Sequence, residues 1–281
     1  ADPHKRREER MPKTLEYTGD KGYKLADVLD KKVSMDEFVA QISEADLIAM
    51  FRGEGMCSPK VTAGTAAAFG GVTESLKALG IPVGCCADGP SGIRMDCGTK
   101  AFSLPNGTLL GCTFNTELVG ELYEMTGREL RLNKIDSLLG PGMNIHRNPL
   151  NGRNFEYMGE DPYLSSMMVV PYIKGVQENG VAACVKHYAL NNQEFNRHTT
   201  NVHLSDRALY EIYLPAFKAA VQEGGAWAIM GAYNLYSFSE DTDSGKLYKT
   251  QHACHNKRLL QDILRKEWGF DGVVVSDWGG V

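Results

Sequence analysis

Short apolar runs alternate with amphipathic stretches along most of this chain, and this rhythm restricts the folds that the chain can adopt. Alternation of this kind is typical of repeated βα units, in which helices cover a parallel sheet. The polar stretch Ser237–Lys249 interrupts the rhythm and is predicted to be a loop insertion. The sequence therefore predicts an α/β fold. Its strands are predicted at Ile81–Ala87, Thr108–Cys112, Ser137–Leu139, Val181–Val185, Ala226–Ala232 and Gly272–Val275.

Two of the segments between these runs carry clear helix signals. Asn256 is a typical N-cap residue, the apolar residues that follow it share one face, and Gly269 is a typical helix terminator. Ser205–Glu223 has the same one-sided apolar pattern. Because proline lacks the backbone N–H that a helix interior needs, Pro171 and Pro215 predict kinks or breaks.

The composition excludes several classes of protein. Of the 281 residues, 43% are hydrophobic and 23% are charged, which is enough apolar material for one large core. The net charge of -5 argues against nonspecific binding to nucleic acid. No apolar stretch reaches the ~18 residues that a membrane span requires. A globular enzyme or binding domain without nucleic-acid or membrane partners is therefore expected.

The chain has seven cysteines, an odd number, and several of them lie inside apolar runs. No secretory signal segment precedes them and no Cys-x-x-Cys pair occurs, so we expect reduced thiols and a cytoplasmic location. His252, Cys254 and His255 are the one compact group of metal-ligand residue types. We interpret this group as a helix start on the surface rather than a zinc site, and we expect neither a metal nor a cofactor.

Polar residues follow the predicted strands at their carboxyl ends. In a (β/α)8 barrel all these ends open on one face, so that residues distant in sequence meet in one pocket. An open doubly wound sheet brings fewer of them together and usually carries a Gly-rich phosphate loop, for which Gly53-Glu-Gly55 is too weak a match. The pattern therefore favours a TIM-type (β/α)8 barrel. The polar residues concerned are Asp88, Lys186, His187, Tyr233, Asn234 and Asp277.

Asp277 and Trp278 indicate a class of ligand. An aromatic ring stacks on the apolar face of a sugar, while a carboxylate accepts hydrogen bonds from its hydroxyls. The ordinary alternative is that Asp277 is a helix N-cap or a loop carboxylate. The role of Arg153 is equally open, because this residue either binds a ligand or pairs with Glu156 or Glu160 inside its loop.

Six motifs follow one another along the chain: Ala87–Arg94, Gly140–Arg147, Asn151–Pro162, Lys186–Asn191, Met230–Asn234 and Val275–Trp278. In this order they resemble glycoside hydrolase family 3, of the β-glucosidase type. The resemblance runs from about Met35 to the last residue and implies a TIM-type barrel that lacks its closing unit. It also implies a retaining β-glucosidase, which removes terminal β-linked glucose from small glucosides or cello-oligosaccharides through a covalent glycosyl-enzyme.

The resemblance assigns roles to individual residues. It implies that Asp277 is the nucleophile and that Asp88 accepts hydrogen bonds from the sugar hydroxyls farthest from the scissile bond. Met230 and Tyr233 match positions beside the nucleophile, with the tyrosine placed to hydrogen-bond it, and Trp278 would wall the entrance. Five further residues match sugar-binding positions of the family: Arg94, Arg153, Lys186, His187 and Arg197. The Lys-His motif continues with Tyr-Ala-Leu-Asn-Asn rather than the Pro-Gly-His of the N-acetylglucosaminidase branch, which favours glucosides.

A retaining mechanism needs two carboxyl groups about 5–5.5 Å apart, and Asp277 supplies only one. In this family the acid/base glutamate normally belongs to a separate α/β sandwich domain, which no part of the chain resembles. We therefore expect an N-terminal arm or linker at 1–34, an incomplete barrel at 35–281, and a sandwich domain or second chain as partner. Tyr17-Thr-Gly-Asp20 and Leu25-Ala-Asp-Val-Leu29 resemble the junction of permuted members, in which the sandwich precedes the barrel. The alternative is an ordinary N-terminal extension. A homo-oligomer is also open.

Three other functions stay open at this stage. A related β-xylosidase would use the same set of residues. A non-catalytic sugar-binding fragment agrees with the missing acid. A Schiff-base aldolase would use Lys186, because burial beside apolar residues favours a neutral, nucleophilic amine, although no phosphate loop accompanies it.

Overall fold

A computed structural model describes residues 14–239 and 248–280. The strands are β1 (Ala67–Gly70), β2 (Val83–Asp88), β3 (Ser137–Leu139), β4 (Ala182–Tyr188), β5 (Asn201–His203), β6 (Ala228–Gly231), β7 (Leu235–Ser239), β8 (Tyr248–His252) and β9 (Val273–Ser276). The α-helices are α1 (Leu25–Leu29), α2 (Met35–Ala40), α3 (Glu44–Arg52), α4 (Glu74–Ala78), α5 (Gly107–Cys112), α6 (Thr116–Leu132), α7 (Pro162–Gln177), α8 (Asp206–Ala208) and α9 (Pro215–Gln222). Two segments are π-helical, Leu209–Tyr213 and Arg258–Glu267, and two are 3₁₀ turns, Asn154–Glu156 and Ala253–His255.

The main sheet has six strands in the order β1-β2-β3-β4-β6-β9. The strands from β2 to β9 are parallel, and helices connect them, as in a (β/α) barrel. Strand β1 departs from the all-parallel pattern, because it pairs with β2 in the antiparallel direction. The predicted α/β fold is confirmed, and the sheet forms part of a barrel rather than a closed ring of eight strands.

The two faces of the main sheet differ in what covers them. Side chains on the outer face pack against the helices in the largest apolar cluster, whose strand members include Cys85, Ala87, Leu138, Ala183, Val185 and Ile229. The inner face carries a smaller cluster around Cys86, Leu139, Cys184, Ala228 and Met230. Successive strand residues point to opposite faces, which explains why neighbours in sequence belong to different clusters. The inner face opens towards the pocket described below.

The prediction of a strand at Thr108–Cys112 is wrong, because this segment is the helix α5. The Asn106 side chain caps it by accepting a hydrogen bond from the Leu109 N–H at 2.9 Å. A short apolar run has the same appearance in sequence whether it is a buried helix or a buried strand. Gly107 and Gly111, one turn apart, let α5 lie directly against the backbone near Glu156 and Met158.

The prediction of a loop at Ser237–Lys249 is wrong at both ends. Strands β7 and β8 pair in the antiparallel direction from Leu235 with His252 to Ser239 with Tyr248, and β5 pairs with β7 in parallel. Residues 240–247 of this segment lie outside the described residues. The alternating polar residues are therefore those of a small three-stranded sheet beside the barrel strands.

The two prolines act differently in the helices that contain them. Helix α7 continues through Pro171 from its first residue, Pro162, to Gln177, so the expected break is absent there. At Pro215 the expected change occurs, since a π-helical turn ends and α9 begins. The Leu214 N–H donates to the Leu209 carbonyl at 2.9 Å, which is the wider spacing of a π-helix.

The described part of residues 1–34 contacts the rest of the domain. The Leu25 N–H donates to the Leu79 carbonyl at 2.8 Å, and Leu25 and Val28 pack on the cluster around Phe38. The boundary of an arm at residue 34 stays a prediction. Within the described ranges, no helix combines the length and the hydropathy that crossing a bilayer would require.

Candidate active site

A polar cavity of about 330 Å³ lies at the carboxyl ends of β2, β4, β6 and β9. Nine of the ten predicted site residues line it: Asp88, Arg94, Arg153, Lys186, His187, Arg197, Met230, Asp277 and Trp278. The tenth, Tyr233, does not line the cavity but contacts two residues that do: its hydroxyl donates to the Trp278 carbonyl at 2.6 Å, and its ring lies under Arg197. The fold therefore brings together predicted residues as far apart in the sequence as Asp88 and Trp278, which are separated by 190 positions.

Lys186 and His187 both contact the site although they are consecutive residues of β4. In a regular strand consecutive side chains point to opposite faces. The pairing of β4 with β6 shifts register between Val185 and Tyr188, and this irregularity allows both side chains to reach the cavity. Both are buried, with 3% and 2% of their surface exposed.

Lys186 joins two carboxylates at the base of the cavity. Its Nζ lies 2.7 Å from Asp88 Oδ1 and 3.5 Å from Glu156 Oε1. Burial acts to raise the pKa of Asp88, but the charge and hydrogen bond of Lys186 and the Gly89 N–H outweigh it, so the pKa lies below its usual value. Asp88 is therefore ionised at neutral pH and accepts hydrogen bonds.

Arg153 pairs with Glu156 rather than with Glu160. Its Nε and terminal nitrogens donate to the two Glu156 oxygens at 2.8 and 3.0 Å, the fork geometry typical of an arginine and a carboxylate. The pair is nearly buried, and Arg153 still lines the cavity. The loop role and the site role, which the sequence left as alternatives, are thus compatible.

Glu194 connects Arg153 with Arg197 on the next loop. Its carboxylate lies 3.0 Å from Arg197 Nη1 and 3.8 Å from Arg153 Nη1. The Arg197 guanidinium also lies over the Tyr233 ring, with Cζ 4.4 Å from the ring centroid. These contacts hold Arg197 at the cavity wall.

His187 is neutral in this site. Burial, together with the positive charges of Arg153, Lys186 and Arg197, holds the pKa of its imidazole well below its usual range. Its Nε2 lies 3.7 Å from Asp277 Oδ2. Asn144 fixes the backbone of His187, because its side chain accepts from the His187 N–H at 2.8 Å and donates to the His187 carbonyl at 2.9 Å.

Asp277 follows β9 directly and points into the cavity with 13% of its side chain exposed. Burial raises the pKa of its carboxyl, while the Trp278 N–H, Tyr233 and the charges of Lys186 and Arg153 act in the opposite direction. The Trp278 N–H donates to Asp277 Oδ1 at 2.8 Å. Among the described residues, the basic side chain closest to the Asp277 carboxylate is His187, which is neutral, whereas the other carboxylates at the cavity contact lysine or arginine.

Arg94 and Asp96 form an exposed pair at the cavity rim. Arg94 Nε lies 3.0 Å from Asp96 Oδ1, and 58% of the Arg94 side chain is exposed. Arg94 thus faces the solvent side of the cavity, where it is available to an incoming ligand.

Sequence reasoning missed several residues of this site. Glu194 and Asp96 carry ion pairs with predicted residues, and Tyr157 and Asn144 contact His187. The spacing of three residues between Glu194 and Arg197 on one loop was a usable signal for that pair. Nothing local to Asn144 indicates that it holds a residue 43 positions away.

The group His252, Cys254 and His255 has ordinary structural contacts. His252 Nδ1 lies 2.9 Å from the Tyr233 carbonyl, and the Cys254 thiol donates to the Ala232 carbonyl at 3.2 Å. A helix does begin here, and Asn256 caps it through the Leu259 N–H at 3.0 Å, but Cys254 is buried rather than on the surface. Within the described ranges, no group of three or more His, Cys, Asp or Glu residues has metal-binding geometry.

The fold and the cavity together define a barrel domain with a carboxylate-rich site at its strand ends. Residues 18–281 match the glycosyl hydrolase family 3 N terminal domain. The chain therefore belongs to glycosyl hydrolase family 3, as its motifs indicated.

Similar proteins bear the name β-glucosidase. A β-glucosidase of Ruminococcus albus is 53% identical over 268 residues, which is 95% of this chain and 27% of that protein. The solved structure of a β-glucosidase from Paenibacillus barengoltzii is 51% identical with a TM-score of 0.88, over 98% of this chain and 28% of that one. β-Glucosidase 3B from Thermotoga neapolitana, solved with glucose, is 38% identical with a TM-score of 0.76, over 86% of this chain and 33% of that one. The chain thus spans about a third or less of the length of these relatives.

Proposed function

We propose that the full-length protein is a retaining β-glucosidase that removes terminal β-linked glucose from small glucosides or cello-oligosaccharides. Its Asp277 attacks the anomeric carbon and forms a covalent glycosyl-enzyme, which water then hydrolyses. The names of the relatives support the substrate class, and the cavity supports the chemistry. A cytoplasmic location belongs to the same proposal and agrees with the seven free cysteines.

One observation carries the choice of Asp277. Asp88, Asp96, Glu156 and Glu194 each contact a lysine or arginine, which occupies their oxygens. Asp277 has the neutral His187 at 3.7 Å instead. A carboxylate without a charged partner is the better nucleophile, since attack on the anomeric carbon does not require breaking an ion pair first.

The acid/base residue is proposed to be a glutamate outside this chain. A general acid must carry a proton for the leaving oxygen, whereas the oxygens of the paired carboxylates in the cavity already contact lysine or arginine. A sandwich domain or a second chain would therefore complete the site, and a homo-oligomer agrees with the proposal equally well.

Paired charges support the recognition of a polyhydroxylated sugar. Asp88 accepts from two neighbouring hydroxyls, while Lys186 and Arg153 donate. Trp278, at the rim, offers a ring to the apolar face of the sugar. A β-xylosidase would use the same contacts, so the sixth carbon of glucose is the point at which the two substrates differ.

The contacts of Lys186 do not favour the aldolase alternative. A Schiff base needs a free amine lone pair, whereas Lys186 Nζ donates to Asp88 at 2.7 Å and lies 3.5 Å from Glu156. A non-catalytic sugar-binding role is separated from hydrolysis by the experiment that follows.

The test is mechanism-based labelling of the full-length protein with a 2-fluoro β-glucoside that carries an activated leaving group, followed by peptide mass spectrometry. We expect one glycosyl adduct on the peptide that contains Asp277, and none in an Asp277→Asn variant. An adduct on another carboxylate would refute the assignment of the nucleophile. Binding of glucose without any adduct or turnover would leave the sugar-binding role in its place.

A further inference from the structure

The two ring nitrogens of His187 have different neighbours. Nδ1 lies 3.3 Å from the Tyr157 hydroxyl, and Nε2 lies 3.7 Å from Asp277 Oδ2 inside the cavity. A neutral imidazole carries its proton on one nitrogen and accepts with the other. The position of this proton decides whether His187 presents a donor or an acceptor to a ligand.

Asn191 and Glu194 fix the direction of the hydrogen bonds around Tyr157. Asn191 Nδ2 lies 3.0 Å from Glu194 Oε1 and 3.3 Å from the Tyr157 oxygen. The Glu194 carboxylate forms an ion pair with Arg197 and has only acceptor oxygens, so the Asn191 atom that faces it is the amide nitrogen. The same NH2 group donates to the Tyr157 oxygen, which leaves the Tyr157 proton to point at His187 Nδ1.

The ring of His187 is held in place by buried groups. Asn144 binds the backbone N–H and carbonyl of His187, and the Tyr157 side chain that faces the ring is fully buried. Burial, together with nearby positive charges, holds the pKa of the imidazole well below its usual range, so the ring is neutral and only one nitrogen carries a proton. Because the Tyr157 hydroxyl donates to Nδ1, Nδ1 is the acceptor of the ring and Nε2 carries the ring proton.

We propose that Tyr157 is a positioning residue that locks His187 in the Nε2–H tautomer, so that the cavity presents a nitrogen donor beside the Asp277 carboxylate. At 3.7 Å this N–H is too far from Asp277 for a direct hydrogen bond and is available to a sugar hydroxyl. A hydroxyl between the two groups accepts from Nε2 and donates to a carboxylate, which satisfies both. A His187 ring with the opposite tautomer would face that hydroxyl with an acceptor.

The proposal is tested on the full-length protein labelled with ¹⁵N-histidine, without substrate, by correlating ring nitrogens with ring protons at neutral pH. The His187 signals are assigned by their loss in a His187→Gln variant. We expect the Nε2–H pattern in the unmodified protein and a shift towards a tautomer mixture in Tyr157→Phe. Tyr163→Phe, which changes an exposed tyrosine on α7, is the matched control and leaves the pattern unchanged.

An Nδ1–H pattern in the unmodified protein would overturn the proposal, and so would an unchanged pattern in Tyr157→Phe. The kinetic arm rests on the proposed function: kcat/KM for an aryl β-glucoside falls on the order of tenfold in Tyr157→Phe and stays level in Tyr163→Phe. The tautomer is read without substrate. An absence of glycosidase activity with the expected tautomer would therefore reject the proposed function and leave this inference standing.

Discussion

The charged side chains of the cavity differ in how they are partnered. Lysine and arginine contact every carboxylate that the resemblance or the structure assigns to binding, and these pairs compensate for the cost of burial. Asp277 lacks such a pair, and burial raises the pKa of its carboxyl. This residue is therefore kept at an energetic cost, which is typical of a group retained for chemistry.

Replacing Asp277 by Asn tests that cost. The amide keeps the acceptor for the Trp278 N–H and removes the buried charge, so the variant should unfold at a higher temperature at neutral pH while turnover falls at least about a thousandfold. The folded pKa of Asp277 is raised above the unfolded one, so its ionisation destabilises the fold at higher pH. The gain in stability should therefore shrink as the pH falls through the folded pKa towards the unfolded value. Thermal scans of both proteins between neutral and acidic pH measure this, and an equal or lower melting temperature at neutral pH would count against it.

Lys186 should matter for stability as well as for binding. In Lys186→Met the partner carboxylates Asp88 and Glu156 lose their shared cation, and we expect a loss of about 1–3 kcal/mol in the free energy of unfolding. Denaturant titration provides the measurement, with Lys218→Met on the exposed face of α9 as the matched control. A variant as stable as the control would mean that Lys186 serves ligand binding alone.

At the scale of elements, the short helix α5 positions the loop that carries Arg153 and Glu156. A Cβ atom on Gly107 would lie 2.1 Å from the Glu156 carbonyl oxygen, and one on Gly111 would lie 2.1 Å from that of Met158. The helix therefore approaches the loop as closely as glycine alone allows. Arg153 and Glu156 lie on this loop, so the geometry of the cavity depends on the close contact between α5 and the loop.

Gly107→Ala should therefore displace the loop. We expect a loss of about 1–3 kcal/mol in stability, together with a fall in kcat/KM, because Glu156 holds both Arg153 and Lys186. Gly120→Ala on α6 is the control, since its Cβ would meet Pro171 at an ordinary 3.6 Å, and it should be neutral or stabilise by up to about 1 kcal/mol. Equal effects of the two substitutions would contradict the close packing.

At the scale of the whole molecule, the main sheet has an open side. Within the described ranges, no strand pairs with the free edge of β9, and Val273 on that strand is 55% exposed. Unpaired edges of this kind bind other strands unless something covers them. This geometry agrees with the expectation of a covering segment from the rest of the protein.

The 281-residue chain produced by itself should consequently self-associate. Sedimentation velocity over a range of concentrations should show oligomers that dissociate on dilution, and Val273→Lys should reduce them, because an inward-pointing charge discourages pairing between sheets. The full-length protein, in which we expect β9 to be covered, provides the comparison. A chain that stays monomeric at all concentrations would show that the edge is protected in another way.

Much of the barrel could be predicted because its signals are local. Apolar runs identified β2, β3, β4, β6 and β9, and the polar residues at their ends gave the face of the site. Helix α5 and the β7-β8 pair were missed, since a short apolar run does not distinguish helix from strand and a polar alternating stretch resembles a loop. The tertiary structure decides both cases: α5 packs through its glycines against the loop near Glu156, and β7 pairs with β5.

The sequence by itself determined the family, the α/β class and most of the charged residues that reach the cavity, because these depend on short motifs and on strand ends. Only the tertiary structure decided which charges pair, since Lys186 meets Asp88 across 98 residues and Asn144 meets His187 across 43. Electrostatic pairing acts over a few ångströms in space, whereas sequence patterns report on neighbours along the chain. For this reason the isolated charge of Asp277 and the fixed proton of His187 follow from the folded geometry alone.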